Sequence, residues 1–158
     1  MDLVKAQWMR DTATAASQAG HVWAQMAACE AALESNFGQS GLARQANNLF
    51  GTKQHQHPIF GTLSLPTREY LNDQWVVVTA DWVSYPDVSY CFADRMATLT
   101  RLRDTYPHYE MALSAPDEFT YIREVSQTWA TDPQRANKVI AIYQQYFAPA
   151  PDLTAQDL

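Results

Sequence analysis

Apolar residues at the start of the chain recur at helical spacing. Leu3, Val4, Trp8 and Met9, followed by alanines, form a stripe that predicts a helix over Leu3–Gln18, and Gly20 closes it as glycine does past a helix end. A second helix is expected from about His21 to Ser35, where Val22, Trp23, Met26, Ala27 and Leu33 favour burial. Its many alanines let neighbours approach closely, which places it centrally. The chain then breaks at Gly38 and restarts behind Ser40, a suitable N-cap, as a short helix over Gly41–Ala46. It breaks again at Asn47-Asn48.

Between Asn47 and Pro66 the helical signal is lost. Gly51, Pro58, Gly61 and the polar run Lys53-Gln-His-Gln-His57 indicate loops. Leu65–Tyr70 and Gln74–Ser84 then read as two strands joined around Asn72-Asp73, with Val76-Val-Val-Thr79 as the strongest β-forming run. Helical spacing resumes over Ser89–Arg103, where Phe92, Met96, Leu99 and Leu102 fall on one face, and Pro107 is expected to end that region. Pro116-Asp117 opens a helix to about Trp129, and Asp132-Pro133 opens the last one, to about Tyr146. Ala148-Pro-Ala-Pro151 and the residues after it read as a tail. The expectation is an α+β domain over 1–147, mainly helical with a small β-hairpin lobe, followed by a tail or linker over 148–158.

Composition narrows the class. With 158 residues, 47% of them hydrophobic and 18% charged, the chain supports one packed domain and is not a disordered one. A net charge of -6 argues against a partner that tracks nucleic-acid phosphates. Five Trp and eight Tyr supply faces for stacking on sugar rings, or for core packing. Met1-Asp-Leu-Val-Lys5 lacks the charged-then-apolar pattern of a leader, and no apolar run approaches membrane length, so no membrane insertion is expected. Cys29 and Cys91 are isolated in apolar helical contexts and read as buried free thiols.

Candidate chemistry centres on Glu34, in the last turn of the second helix. Desolvation beside Ala, Leu and Phe disfavours a charged carboxylate, which suits a general acid, although spacing alone also fits a surface glutamate at a helix end. Glu30 lies four residues earlier on the same face, within one turn, and is expected to point to solvent. Glu69, on the first strand, is a second candidate acid, or an exposed strand residue paired with Arg68 or its neighbours. An acid at a helix end facing another across a groove is a workable glycosidase arrangement. His55 and His57 have no local cysteine or acidic partner, so they read as a solvated loop and not as a metal site. No glycine-rich phosphate loop or nucleophile-elbow serine is present.

Ala31-Ala-Leu-Glu-Ser-Asn-Phe-Gly-Gln-Ser-Gly-Leu-Ala43, together with Ala46-Asn-Asn-Leu-Phe-Gly51, closely resembles the signature of bacterial glucosaminidase domains. These are the glycoside hydrolase family 73 enzymes, also described as mannosyl-glycoprotein endo-β-N-acetylglucosaminidase-like domains, and include autolysins, phage lysins and flagellar rod-cap hydrolases. Thr67-Arg-Glu-Tyr70, Trp82-Val-Ser-Tyr-Pro86 with Phe92-Ala-Asp94, and Trp129-Ala-Thr-Asp-Pro133 with Ala136 and Lys138-Val139 are similar to further segments of the family, in the family's order. The resemblance spans roughly Leu3 to Phe147.

What the resemblance implies is a lysozyme-like fold, with a substrate groove between helices and the β-lobe. Its general acid falls on Glu34 and its second carboxylate on Glu69. Its substrate is the glycan strand of peptidoglycan, cut at the β-1,4 bond between N-acetylglucosamine and N-acetylmuramic acid. It needs no metal or organic cofactor. Phe37, Tyr85, Tyr121 and Trp129 are the candidates for lining the groove; Trp23 is another, more readily read as core. The implied protein is a monomer that works in the periplasm or at the cell wall. It would be exported by a leader lying outside these residues, or by a phage or secretion-system route. A lytic transglycosylase using Glu34 alone, and a non-catalytic glycan-binding module, are the alternatives. Three positions depart from the family pattern: Trp129 replaces the usual tyrosine, Arg135 the usual second aromatic of that ending, and Phe37 a common tryptophan.

Overall fold

The computed structural model describes residues 2–148, and of the tail expected over 148–158 only Ala148 lies within them. Seven helices and one hairpin follow in the order α1 (Leu3–Gln18), α2 (Ala24–Ser35), α3 (Gly41–Ala46), β1 (Gly61–Leu71), β2 (Gln74–Ser84), α4 (Val88–Leu102), α5 (Pro107–Leu113), α6 (Glu118–Trp129) and α7 (Arg135–Tyr146). The protein is mainly helical with a two-stranded antiparallel sheet, as its sequence pattern leads one to expect.

Helix α2 is the hub. A helix apolar on every side has no face to offer water and is buried all round. Ala28, Cys29 and Ala32 join Met26 in a core cluster with Leu99, Ile122, Val125 and Val139, while Ala27 and Ala31 belong to a second cluster with Leu49, Phe50, Val83 and Phe92. Cys29 and Cys91 are both buried free thiols. Burial pushes the Cys91 thiol up to about 12, so neither packing nor chemistry favours a thiolate there.

The ends of α2 are set by left-handed residues. Trp23 precedes it with φ 47°, so His21–Trp23 form a turn where the pattern predicts helix. Trp23 itself is 36% exposed and is not a core residue. At the other end Asn36, Phe37 and Gly38 have φ of 50°, 54° and 77°, which turns the chain sharply just after Glu34. A Cβ on Gly38 would sit 2.5 Å from the Trp8 indole nitrogen, so both backbone and packing demand glycine there.

Most of the caps that the sequence supports are formed. Asp2 accepts from the amides of Val4 and Lys5, Ser40 from Ala43, and Asp117 from Thr120. Asp132, however, does not cap the last helix: it accepts from the Gln134 amide in a turn, and α7 starts at Arg135 behind Gln134 with no side-chain cap. Pro107 opens α5 instead of ending the region, because a proline at the first helical position loses no helical hydrogen bond. The first strand also begins earlier than its apolar run suggests, at Gly61, and runs through Pro66, which pairs with Thr79. In a two-stranded sheet each strand has an open edge, so the missing N–H of Pro66 is tolerated.

The hairpin turns at Asn72 and Asp73, with φ of 50° and 63°, as a two-residue connection requires. Its base is stapled to the helical body by the asparagine pair. Asn47 donates to the Tyr85 carbonyl, while buried Asn48 donates to the Thr52 and Val83 carbonyls and accepts from the Thr52 amide. Tyr85 and His55 both reach Asp94 Oδ2, at 2.5 and 2.8 Å, and tie this base to α4. His55 is therefore a partly buried link and not a solvated loop residue. Further out, Tyr70, Trp75 and Val77 lie exposed on the outward face.

Candidate active site

Glu34 sits in the last turn of α2, with 29% of its side chain exposed. Its Oε1 accepts from Arg135 Nε at 3.0 Å. Among the described residues, Oε2 carries no hydrogen bond.

Behind Glu34 lies a charged cluster. Glu30 is fully buried and does not point to solvent as expected; the solvent reading fails because α2 has no solvent face along this stretch. Arg95 from α4 grips Glu30 through two nitrogens, at 3.1 and 2.8 Å, Arg135 from α7 adds a third at 2.7 Å, and the Tyr121 hydroxyl donates at 2.5 Å. Burial alone raises the Glu30 carboxyl. The two guanidinium charges and these hydrogen bonds outweigh it and hold the group well below the ordinary carboxylate range. Burial pushes His21 down to about 4, with the Arg95 charge adding to the effect. His21 is thus neutral near pH 7, its Nδ1–H donating to the Val22 carbonyl and its Nε2 receiving Arg95 at 3.4 Å.

Arg95 lies over two aromatic rings set nearly perpendicular to each other, 4.5 Å from the Phe50 ring centre and 4.1 Å from that of Trp129. A delocalised guanidinium suits this place, since it stacks on rings and is weakly hydrated. Trp129, half-buried, is accordingly the roof of the cluster. Tyr121 is fully buried with its hydroxyl committed to Glu30, and Tyr85 is buried with its hydroxyl on Asp94, so neither presents a face to a ligand in this conformation. Phe37 packs edge-on against Trp8 and Tyr146, with Lys5 over its ring.

Glu69 lies opposite Val76 on the hairpin face that carries Leu65, Thr67 and Val78. Its neighbour is Lys53 at 3.8 Å, not Arg68, which lies over Trp75 on the other face. Glu69 is 38% exposed. Two concavities lie elsewhere in the helical body, one of about 650 Å³ between α1, the start of α2 and α7, the other of about 410 Å³ at the α6–α7 connection. Neither is lined by Glu34 or Glu69. The described residues contain no cluster of His, Cys, Asp and Glu able to hold a metal.

Sequence reasoning missed Glu30, Arg95 and Arg135 as one unit. The available signal was charge on apolar faces: Arg95 falls between Phe92 and Leu99, and Arg135 one turn before Val139.

This arrangement has the fold of lysozyme-like glycoside hydrolase domains. It superposes on the catalytic domain of the autolysin Auto from Listeria monocytogenes with a TM-score of 0.77 at 21% identity, covering 92% of this chain and 86% of that one. The glycoside hydrolase domain of FlgJ from Salmonella typhimurium gives 0.72 at 24% identity, covering 92% and 99%. The family described as "Mannosyl-glycoprotein endo-beta-N-acetylglucosaminidase" matches residues 10–148, and the chain belongs to this glucosaminidase family of glycoside hydrolases. A probable N-acetylmuramidase of Lactococcus lactis is 34% identical over 125 residues, which is 74% of this chain and 27% of that protein. The autolysin of Enterococcus faecalis is 28% identical over 144 residues, 85% of this chain and 19% of its own length. The chain therefore spans a minor part of the curated relatives it matches.

Proposed function

We propose that this domain hydrolyses the glycan strand of peptidoglycan at the β-1,4 bond between N-acetylglucosamine and N-acetylmuramic acid, leaving N-acetylglucosamine at the new reducing end. The observation that carries this reading is Glu34, half-exposed at the end of the central helix, with one carboxyl oxygen held by Arg135 and the other open. Family membership supports the substrate class. Glu34 donates its proton to the glycosidic oxygen as the bond to the anomeric carbon breaks, and positive charge develops on the sugar. Glu69 then activates water or stabilises that charge. Trp129 and Phe37 border the glycan. The domain acts as a monomer after export, since its substrate lies outside the cytoplasm.

A second reading has one observation in its favour. Glu69 stands on a projecting hairpin, with Lys53 3.8 Å away. An enzyme whose second carboxylate is dispensable proceeds through the substrate's own acetamido group, or releases an anhydro-sugar as a lytic transglycosylase does. Digesting purified cell walls with the parent, Glu34→Gln and Glu69→Gln, and weighing the products, separates these readings. Reducing-end N-acetylglucosamine is expected. Reducing-end N-acetylmuramic acid would overturn the bond assignment, and anhydro products with an active Glu69→Gln would overturn hydrolysis. Wall binding without release by the parent would leave a glycan-binding module.

A further inference from the structure

We infer that Arg135 is a positioning residue for the proton donor. The inference rests on the assignment of Glu34 as general acid. Arg135 is 1% exposed, and each nitrogen of its guanidinium is committed. Nε donates to Glu34 Oε1 at 3.0 Å, Nη1 to Ser126 Oγ at 2.9 Å and Nη2 to Glu30 Oε2 at 2.7 Å. Nε and Nη2 form one edge of the planar fork, an edge that usually grips a single carboxylate at both oxygens. Here it spans two carboxylates, one turn apart on α2.

The consequence is a fixed lever. Glu30 is clamped from three sides by Arg95, Tyr121 and Arg135, so it anchors the guanidinium plane. Ser126 stops rotation at the opposite edge. The plane then dictates where Glu34 Oε1 lies, and Oε2 carries no hydrogen bond among the described residues. A side chain at a helix end, next to three left-handed residues, otherwise samples several rotamers. When the Oε2 proton moves to the glycosidic oxygen, negative charge is left on Glu34. The adjacent guanidinium is already oriented toward the carboxylate that bears this charge. Lysine cannot reproduce this, because an ammonium is a point donor without a planar edge.

The test compares Arg135→Gln, Arg135→Lys and Ser126→Ala with the parent, using soluble glycan strands. Folding is checked by circular dichroism and thermal melting. Folded Arg135→Gln is expected to lose about 100-fold in kcat while KM stays within about threefold, as misplacing a reacting group does. Arg135→Lys is expected to recover part of that loss, on the order of tenfold, by keeping the charge without the fork. A folded Arg135→Gln with near-parental kcat, or with its whole loss in KM, overturns the inference. If Arg135→Gln does not fold, Ser126→Ala decides: a kcat loss of about three- to fivefold at unchanged KM supports the lever, and parental kcat overturns it. Glu34→Gln is run alongside. Should that variant retain activity, the acid assignment fails, whatever the Arg135 variants do.

Discussion

Two carboxylates from two regions are assigned to one reaction, and they are held in opposite ways. Glu34 belongs to the helical body and is fixed by Arg135, which is itself fixed by Glu30 and Ser126. Glu69 belongs to the hairpin, which is stapled to the body at its base through Asn47, Asn48 and Tyr85 and exposes Tyr70, Trp75 and Val77 further out. The body has dense apolar packing that offsets the cost of buried charge. The hairpin has cross-strand pairs and little else. On the proposed roles of the two carboxylates, the difference teaches where precision is required: a proton donor must be preset, whereas a group that handles water is free to arrive with the substrate.

The contrast breaks first in activity. Glu34→Gln is expected to lower kcat by roughly 1,000-fold or more, and Glu69→Gln by on the order of tenfold to 100-fold, both read as reducing ends released from cell walls. Equal losses would mean that both carboxylates are equally preset. Stability comes next. Glu30→Gln leaves Arg95 and Arg135 without their shared counter-charge, and breaking a buried pair this way costs about 3–5 kcal/mol, measured by urea unfolding.

Acid sharpens the same contrast. The unfolded chain takes a proton at His21 below about 6.5, the native protein only below about 4, so unfolding takes up a proton between those values and stability falls as pH falls. One such group contributes a slope of up to about 1.4 kcal/mol per pH unit. The Glu30 carboxyl, held low, adds stability that is present above the ordinary carboxylate range and is lost as pH drops below it. Urea unfolding between pH 7 and 4 is expected to show the decline, with His21→Asn reducing the slope above pH 4.5. On the hairpin the effects are smaller and depend on position. Asn48→Ala strands buried carbonyls at the base and costs about 1–3 kcal/mol, while Val77→Thr on the exposed face stays within about 0.5 kcal/mol. A larger loss at Val77 would mean that the outward face is covered in solution.

Much of the architecture was written in local patterns. The stripe of α1, the alanines of α2, the Ser40 and Asp117 caps and the Asn72-Asp73 turn each act through neighbours within one turn, so their spacing is enough to find them. Glu34 was legible through the motif around it, and its neighbour Gly38 through the turn that follows. Tyr121 and Tyr85, expected to line the groove, are buried with their hydroxyls on Glu30 and Asp94, since aromatic type says nothing of which side of a wall the ring faces.

What the sequence by itself determined is therefore the element order, the hairpin and the identity of the candidate acid. The tertiary structure alone decided how that acid is held. Arg95 lies 65 residues from Glu30 and Arg135 lies 105, and charge pairing at that distance along the chain leaves no periodic trace. Glu30 can be buried only because α4 and α7 deliver two guanidinium groups to one point, and the same delivery places Arg135 against Glu34.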